Sequence, residues 1–234
     1  MEKLFNTIFP PTCVICGNFS SSFCRACLDK AIPLNEAYCL TCDKASINGE
    51  THLLCKDRTI NNGGISFVFS AFIYKDCVRK CILKSKYGAN EFAALKILSR
   101  EAALYFSKCG LPSSFDFVCA VPLSKKKKKV RGFNQASLIA KVLCKELNLV
   151  YSDCLVRTSD TIPQHKLSKK ERIINLSKSF KAFKNIQQKR ILLVDDICTS
   201  GATLLSATEA LFYAGASSVC CFTLAKKPLL KFKH

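Results

Sequence analysis

The sequence predicts an α/β domain, a parallel sheet with helices on both faces, preceded by a small cysteine-ligated metal module. Three observations carry this. Strand-sized apolar runs alternate with helical periodicities from residue 65 onward. Three Cys-x-x-Cys pairs crowd the first 60 residues. The apolar run Ile191–Val194 passes through two acids into a small polar turn and then a helical pattern. An α/β sheet builds an anion site in that way, at the carboxyl ends of its strands.

The chain has 234 residues, 49% of them hydrophobic, enough for one ample α/β domain and a small appendage. The expected division is a zinc-binding, ribbon-like module over residues 1–60 and the α/β domain over 65–234, joined by Asn61–Gly64. Lys and Arg number 36 against 17 Asp and Glu, a net charge of +19. Residues 1–60 are balanced, six basic against six acidic, so the whole excess lies in residues 61–234. Such a field favours nucleic acid, phosphorylated small molecules or an anionic membrane face. Met1–Pro11 is too short for a secretory signal, and the longest apolar runs are strand-sized. The expectation is a soluble protein in a reducing cytosol, where its 16 cysteines serve as metal ligands or small core residues.

The module contains Cys13/Cys16, Cys24/Cys27 and Cys39/Cys42, followed by Cys55. Two thiolates three residues apart can grip one tetrahedral ion from a tight turn, and Gly17 supplies the residue that tolerates positive φ there. Metal binding then folds a segment that has almost no core of its own. The candidate zinc ligands are Cys13, Cys16, Cys24, Cys27, Cys39 and Cys42. Two groupings stay open. Sequential pairing makes one site from the first four and leaves Cys39, Cys42 and Cys55 one ligand short. Arg58 stands where a fourth cysteine would be. His52 could substitute, although a lone histidine is more often a surface residue. The crossed grouping joins Cys13/Cys16 with Cys39/Cys42. Either site is closed by cysteine, hence structural. Cys119, Cys220 and Cys221 lie in apolar runs and read as core.

In the body, Phe67–Tyr74 reads as a strand, and Cys77–Lys86 and Glu91–Lys108 as helices. Asp116–Val121 is a buried strand ended by Pro122, which opens a long basic loop containing Lys125–Lys129 and Arg131. Asn134–Leu147 is an amphipathic helix and Cys154–Arg157 a short strand. Ser168–Asn175 is a basic helix capped by Ser168. Arg190–Val194, Ala202–Ala214 and Ser218–Leu224 give strand, helix and closing strand. Gln164, His165, Lys169, Lys170 and Arg172 form a segment able to hood the site, with His165 unpositioned as a base.

Ile191–Val194 is apolar throughout, as a strand buried on both faces requires. Asp195 and Asp196 follow. Thr199, Ser200, Gly201, Ala202 and Thr203 then make a nest of N–H groups and hydroxyls at a helix N-terminus, suited to a phosphate monoester. The acids can accept hydrogen bonds from a ribose diol or support a Mg2+-bound ribose. Together these describe a 5-phosphoribosyl group. Lys125, Lys126, Lys127, Lys128, Lys129 and Arg131 bring six positive charges that could hold pyrophosphate or follow a nucleic-acid backbone, if they are more than a solvated run. Phe133 could stack on a base or anchor the next helix.

The stretch from the apolar strand through Asp-Asp to T-S-G-A-T resembles the phosphoribosyl pyrophosphate (PRPP) signature of type I phosphoribosyltransferases. The cysteine pairs, VPLSKKKKKVRGFNQA and TIPQHKLSKKERIINLSKSF extend the likeness to the ComF family. The matches are Arg131–Gln135, then Gln164, Leu167, Arg172, Asn175 and Phe180, with Lys84 after Ile82-Leu83. The resemblance implies a type I phosphoribosyltransferase-like sheet, structural Zn2+, and Mg2+ with PRPP at Asp195, Asp196 and Thr199–Thr203. It further implies a role in natural transformation, handling single-stranded DNA on the cytoplasmic side. The implied partners are a DNA-uptake helicase or another competence protein, with at most peripheral contact at the inner membrane face. The alternative is an active PRPP-dependent phosphoribosyltransferase whose acceptor the sequence does not name.

Overall fold

The structure is a computed structural model and describes residues 11–56, 65–85, 89–110, 114–158, 179–183 and 186–228. The linker Asn61–Gly64, Arg58, the hood segment with Gln164, His165, Leu167, Lys169, Lys170 and Arg172, and the basic helix Ser168–Asn175 lie outside the described residues.

Two short helices, α1 (Arg25–Leu28) and α2 (Leu53–Lys56), lie in the cysteine module. Then follow β1 (Val68–Ile73), α3 (Asp76–Lys84), α4 (Ala89–Lys108), β2 (Phe117–Ala120), α5 (Lys125–Arg131) and α6 (Gln135–Leu147). Next come β3 (Leu155–Arg157), β4 (Phe180–Ala182), β5 (Arg190–Cys198), α7 (Ala202–Tyr213) and β6 (Ser218–Lys226). The main sheet has the order β1-β6-β5-β2 and every pairing in it is parallel. β3 and β4 form a separate antiparallel pair.

Period-two alternation assigns each strand residue to a face. Leu192 and Val194 point into one core with Val118, Ala120, Cys220 and Phe222. Ile191 and Leu193 point into the other with Cys119, Val219 and Cys221. The first core is roofed by α3, α4 and α6 through Ile82, Leu95, Leu98, Ile139 and Leu143. The second is roofed by α7 through Leu204, Ala207 and Leu211. Helices therefore cover both faces. Inside the first core Phe222 stacks on Phe69 at 5.5 Å and meets Phe106 edge-on at 5.6 Å, the offset and T-shaped geometries that aromatic quadrupoles favour.

The cysteine module is divided between the two cores. Cys13, Val14, Phe23, Cys27 and Leu28 pack into the first, whereas Tyr38 and Leu40 pack into the second. Between these halves, Ile32–Leu34 runs along the outer edge of β1: Ile73 N–H donates to Ile32 C=O at 2.9 Å and Leu34 N–H to Ala71 C=O at 3.0 Å. The module thus covers an edge whose backbone groups would otherwise be open to further pairing. Lys84 is tied to the first half as well, its Nζ donating to Val14 C=O at 2.7 Å.

Two expectations change. Lys125–Lys129 and Arg131 are helical, not a loop. Lysine is a good helix former; Ser124 Oγ accepts Lys127 N–H at 3.3 Å, and Gly132, at φ 73°, closes the helix by donating to Lys128 C=O. Those caps outweigh the repulsion of adjacent lysines. Second, β5 does not stop at Val194 but continues beside β6 to Cys198.

Candidate phosphoribosyl and metal sites

β2 and β5 run level until Ala120 pairs with Val194, where β2 ends. Beyond that point β5 keeps only its β6 neighbour, with Asp195 opposite Thr223. Asp195 and Asp196 are therefore inside a strand, at the place where one of its sides becomes free. Asp195 Oδ1 accepts Asp196 N–H at 2.9 Å. Burial pushes the Asp195 carboxyl well above the ordinary carboxylate range, the Asp196 charge pushes it further, and Arg157 opposes both. Arg157 closes β3 and holds its guanidinium 5.2 Å from the Phe180 ring centre. No sequence signal marked it, because only the fold carries β3 to Asp195.

Gly201 is buried, adopts φ 73° and is the N-cap of α7 without any side-chain cap. The first N–H groups of a twelve-residue helix are thus left to an external acceptor, where the helix dipole is positive. Thr199 and Ser200 are exposed, and Ala202 and Thr203 half-buried. Across the edge, Asn134 Nδ2 donates to Val121 C=O at 2.9 Å, anchoring the start of α6 to the end of β2. Lys125–Lys129 are exposed on α5, while Arg131 is half-buried and reaches Gln135 Oε1 at 3.4 Å. Gln135 is 1% exposed, and among the described residues neither its Nε2 nor the buried Thr41 Oγ1 has a hydrogen-bond partner. Phe133 meets Phe92 edge-on at 4.1 Å, so anchoring of the helix is visible.

Thr41 follows the residue that closes the turn from above. A Cβ on Gly201 would lie 2.7 Å from Leu40 Cδ1 and 3.1 Å from Leu40 C=O. Only glycine permits that approach. The same segment is pinned at both sides. Asp43 pairs with the nearly buried Lys226 at 2.5 Å, and Lys226 Nζ sits 3.9 Å over the Tyr38 ring. Tyr38 Oη shares a hydrogen bond with Ser70 at 2.7 Å, and Ser70 with Thr223 at 2.6 Å, the residue paired with Asp195.

The cysteines gather into two groups, Cys13, Cys16, Cys24, Cys27 and Cys39, Cys42, His52, Cys55, each with its ligand atoms within 4.8 Å of one another. Crossed grouping does not occur. His52 and Cys55 complete the second group, where His52 lies in the position of the missing fourth ligand. The groups fit tetrahedral zinc: Zn–S bonds of about 2.3 Å require sulfurs about 3.8 Å apart, and Cys16 Sγ lies 3.7 Å from Cys24 Sγ. His52 Nδ1 lies 3.3 Å from Cys42 Sγ, and Nε2 lies 3.0 Å from Ala45 C=O. Donation to that carbonyl fixes the tautomer that leaves Nδ1 free to ligate. Each first Cys-x-x-Cys turn folds alike. Gly17 N–H donates to Cys13 C=O and Asp43 N–H to Cys39 C=O, both at 2.8 Å, with φ 81° and 61°. Burial raises the Cys13 thiol, but N–H groups of Cys24, Cys16 and Ile15 outweigh it and bring it to about 6.

The Phosphoribosyl transferase domain family matches residues 129–233, and the Double zinc ribbon domain family matches residues 4–58. Competence protein ComFC of Bacillus subtilis is 27% identical over 210 residues, 87% of this chain and 83% of that one. DNA utilization protein YhgH of Escherichia coli O157:H7 is 32% identical over 112 residues, 47% of this chain. That match spans about half of the relative's length, 49%. A solved structure of the allosteric regulatory enzyme of purine biosynthesis is similar over 60% of this chain and 28% of its own, at 16% identity and a TM-score of 0.41. The zinc-ribbon match and the two ligand groups support structural zinc.

Metal analysis of the purified protein is expected to give about two zinc ions per chain. His52→Ala should lower this to about one, and an undiminished ratio would exclude the histidine as a ligand. A second expectation concerns pH. A carboxyl raised on folding contributes stability that is present below its unfolded pKa and lost as pH rises through the folded one. Asp195→Asn, which keeps the acceptor for Asp196 N–H, should therefore raise Tm at about pH 8 and leave it unchanged near pH 3. Equal Tm values at both would contradict the desolvated carboxyl.

Proposed function

We propose, from the premise that this chain is a relative of the ComF proteins with a phosphoribosyltransferase-type fold, that it holds PRPP at residues 195–203 and handles single-stranded DNA along the adjoining basic surface. One observation carries the reading: the uncapped turn Thr199–Thr203, the acid pair and the lysine helix α5 converge on one sheet edge. N–H groups and hydroxyls of Thr199, Ser200 and Thr203 would hold the 5′-phosphate, and Gly201 and Ala202 keep the backbone close to it. Asp195 and Asp196 would accept the ribose hydroxyls. Arg131 and the α5 lysines would face the pyrophosphate. Mg2+ bound with PRPP would supply charge neutralisation there. The unpartnered Gln135 Nε2 offers one further donor beside Arg131.

Lys125–Lys129 with Arg131 equally suit successive phosphates of a DNA strand. The expected setting is the cytoplasm, with a DNA-uptake helicase or another competence protein as partner and at most peripheral membrane contact. Among the described residues no helix is long and apolar enough to cross a membrane. Cys13, Cys16, Cys24 and Cys27 would hold one zinc ion, and Cys39, Cys42, His52 and Cys55 a second.

The test titrates PRPP with Mg2+, and separately an oligodeoxythymidylate, into wild type, Asp195→Ala/Asp196→Ala, and a variant with Lys125–Lys129 changed to Gln. The acid variant should lose PRPP and keep the oligonucleotide. Wild-type oligonucleotide affinity should fall with salt at a log–log slope at least as steep as about −4, since α5 and Arg131 alone would neutralise six phosphates, and the lysine variant should lose about 3.5 units of it. A salt-independent affinity would overturn the DNA reading, and retained PRPP binding in the acid variant would overturn the phosphoribosyl one. Pyrophosphate release with a nucleobase panel would favour turnover as the main activity.

A further inference from the structure

The outer faces of α4 and α6 carry basic side chains and flank a groove that shares only Lys128 with the proposed phosphoribosyl site. Their inner faces are committed to the core through Leu95, Leu98, Ile139 and Leu143. Lys96 and Arg100 on α4, and Lys141 and Lys145 on α6, face outward and are exposed. Each pair is spaced i, i+4, so each helix presents positive charge about every 6 Å along its axis. The two helices meet at this surface where Arg100 Nε reaches Glu146 of α6 at 3.3 Å. Between them is a groove of about 540 Å3 that also takes in Lys128 and Phe133.

We infer that this groove is a second binding site, which takes the sugar-phosphate backbone of single-stranded nucleic acid. The inference rests on the DNA-handling reading above and extends it to a separate surface. The cations are spread along a line instead of converging on a point, which suits a polyanion better than one phosphate. Glu146 offsets Arg100, and Lys141 lies 5.5 Å over the Tyr151 ring. Lys96, Lys128 and Lys145 form no ion pair among the described residues. At the upper end Lys128 belongs to α5, so the groove continues the lysine helix away from the sheet edge. Phe133, half-buried there against Phe92, offers an aromatic face on which a base can stack.

The test compares wild type, Lys96→Gln/Lys141→Gln/Lys145→Gln, and the Lys125–Lys129 variant. It uses fluorescence anisotropy with a labelled oligodeoxythymidylate over a salt series. All three substituted lysines are exposed, so Tm and PRPP affinity should match wild type and report an intact fold. The groove variant should lose about 2 units of log–log slope and bind on the order of 100-fold more weakly at 0.1 M salt. Wild-type binding with an unchanged groove variant, and loss only in the Lys125–Lys129 variant, would overturn the groove while sparing the DNA reading. Failure of wild type to bind the oligonucleotide would overturn both. Groove-dependent binding to phosphatidylserine vesicles, with none to the oligonucleotide, would replace nucleic acid by a membrane and overturn the assignment.

Discussion

Leu40 rests on the backbone of Gly201, and this contact joins the two parts of the molecule at the anion turn. The turn needs glycine twice over, for its positive φ and for the space that Leu40 occupies. Leu40 in turn is held between Cys39 and Cys42 of the second ligand group. Asp43, forced into the left-handed region by the same knuckle, is offset by its pairing with Lys226. Asp and Asn tolerate that region best, and the carboxylate here gains a nearly buried partner. The Tyr38–Ser70–Thr223 chain then ties the knuckle to the strand position beside Asp195. A metal ion in the second group would therefore stiffen one wall of the proposed phosphoribosyl site.

The sheet gathers the remaining chemistry at one edge. β5 is apolar on both faces until its β2 neighbour ends, and its two acids appear there. The lysine helix and Arg131 lie beyond the same end of β2, anchored through Asn134. Burial and the neighbouring Asp196 charge disfavour ionisation of Asp195, and its hydrogen bond from Asp196 N–H and the charge of Arg157 only partly offset them.

Much of this was legible in the residues. The buried strand, the acid pair and the small polar turn have local signatures, and local signatures survive folding. The six cysteines of the three pairs were legible as a metal-binding pattern through their spacing, and the fold gathers them into two groups. The remainder depended on long-range geometry. His52 reads as an isolated histidine until the knuckle folds and brings its Nδ1 to Cys42. Arg157 and Leu40 reach the site only through tertiary packing. The lysine run reads as a loop from its charge, whereas its caps, Ser124 and Gly132, make it a helix. Apolarity stops at Val194, whereas pairing with β6 does not.

If the second cysteine group and the Thr199–Thr203 turn act as one site, ligand binding at the turn must be felt at the knuckle. Hydrogen–deuterium exchange of the zinc-loaded protein, with and without PRPP and Mg2+, tests this most directly. Amides of Thr199–Leu204 and of Leu40–Cys42 should slow together on ligand addition, because the turn cannot tighten without loading Leu40. Protection confined to the turn, with the knuckle unchanged, would contradict the account.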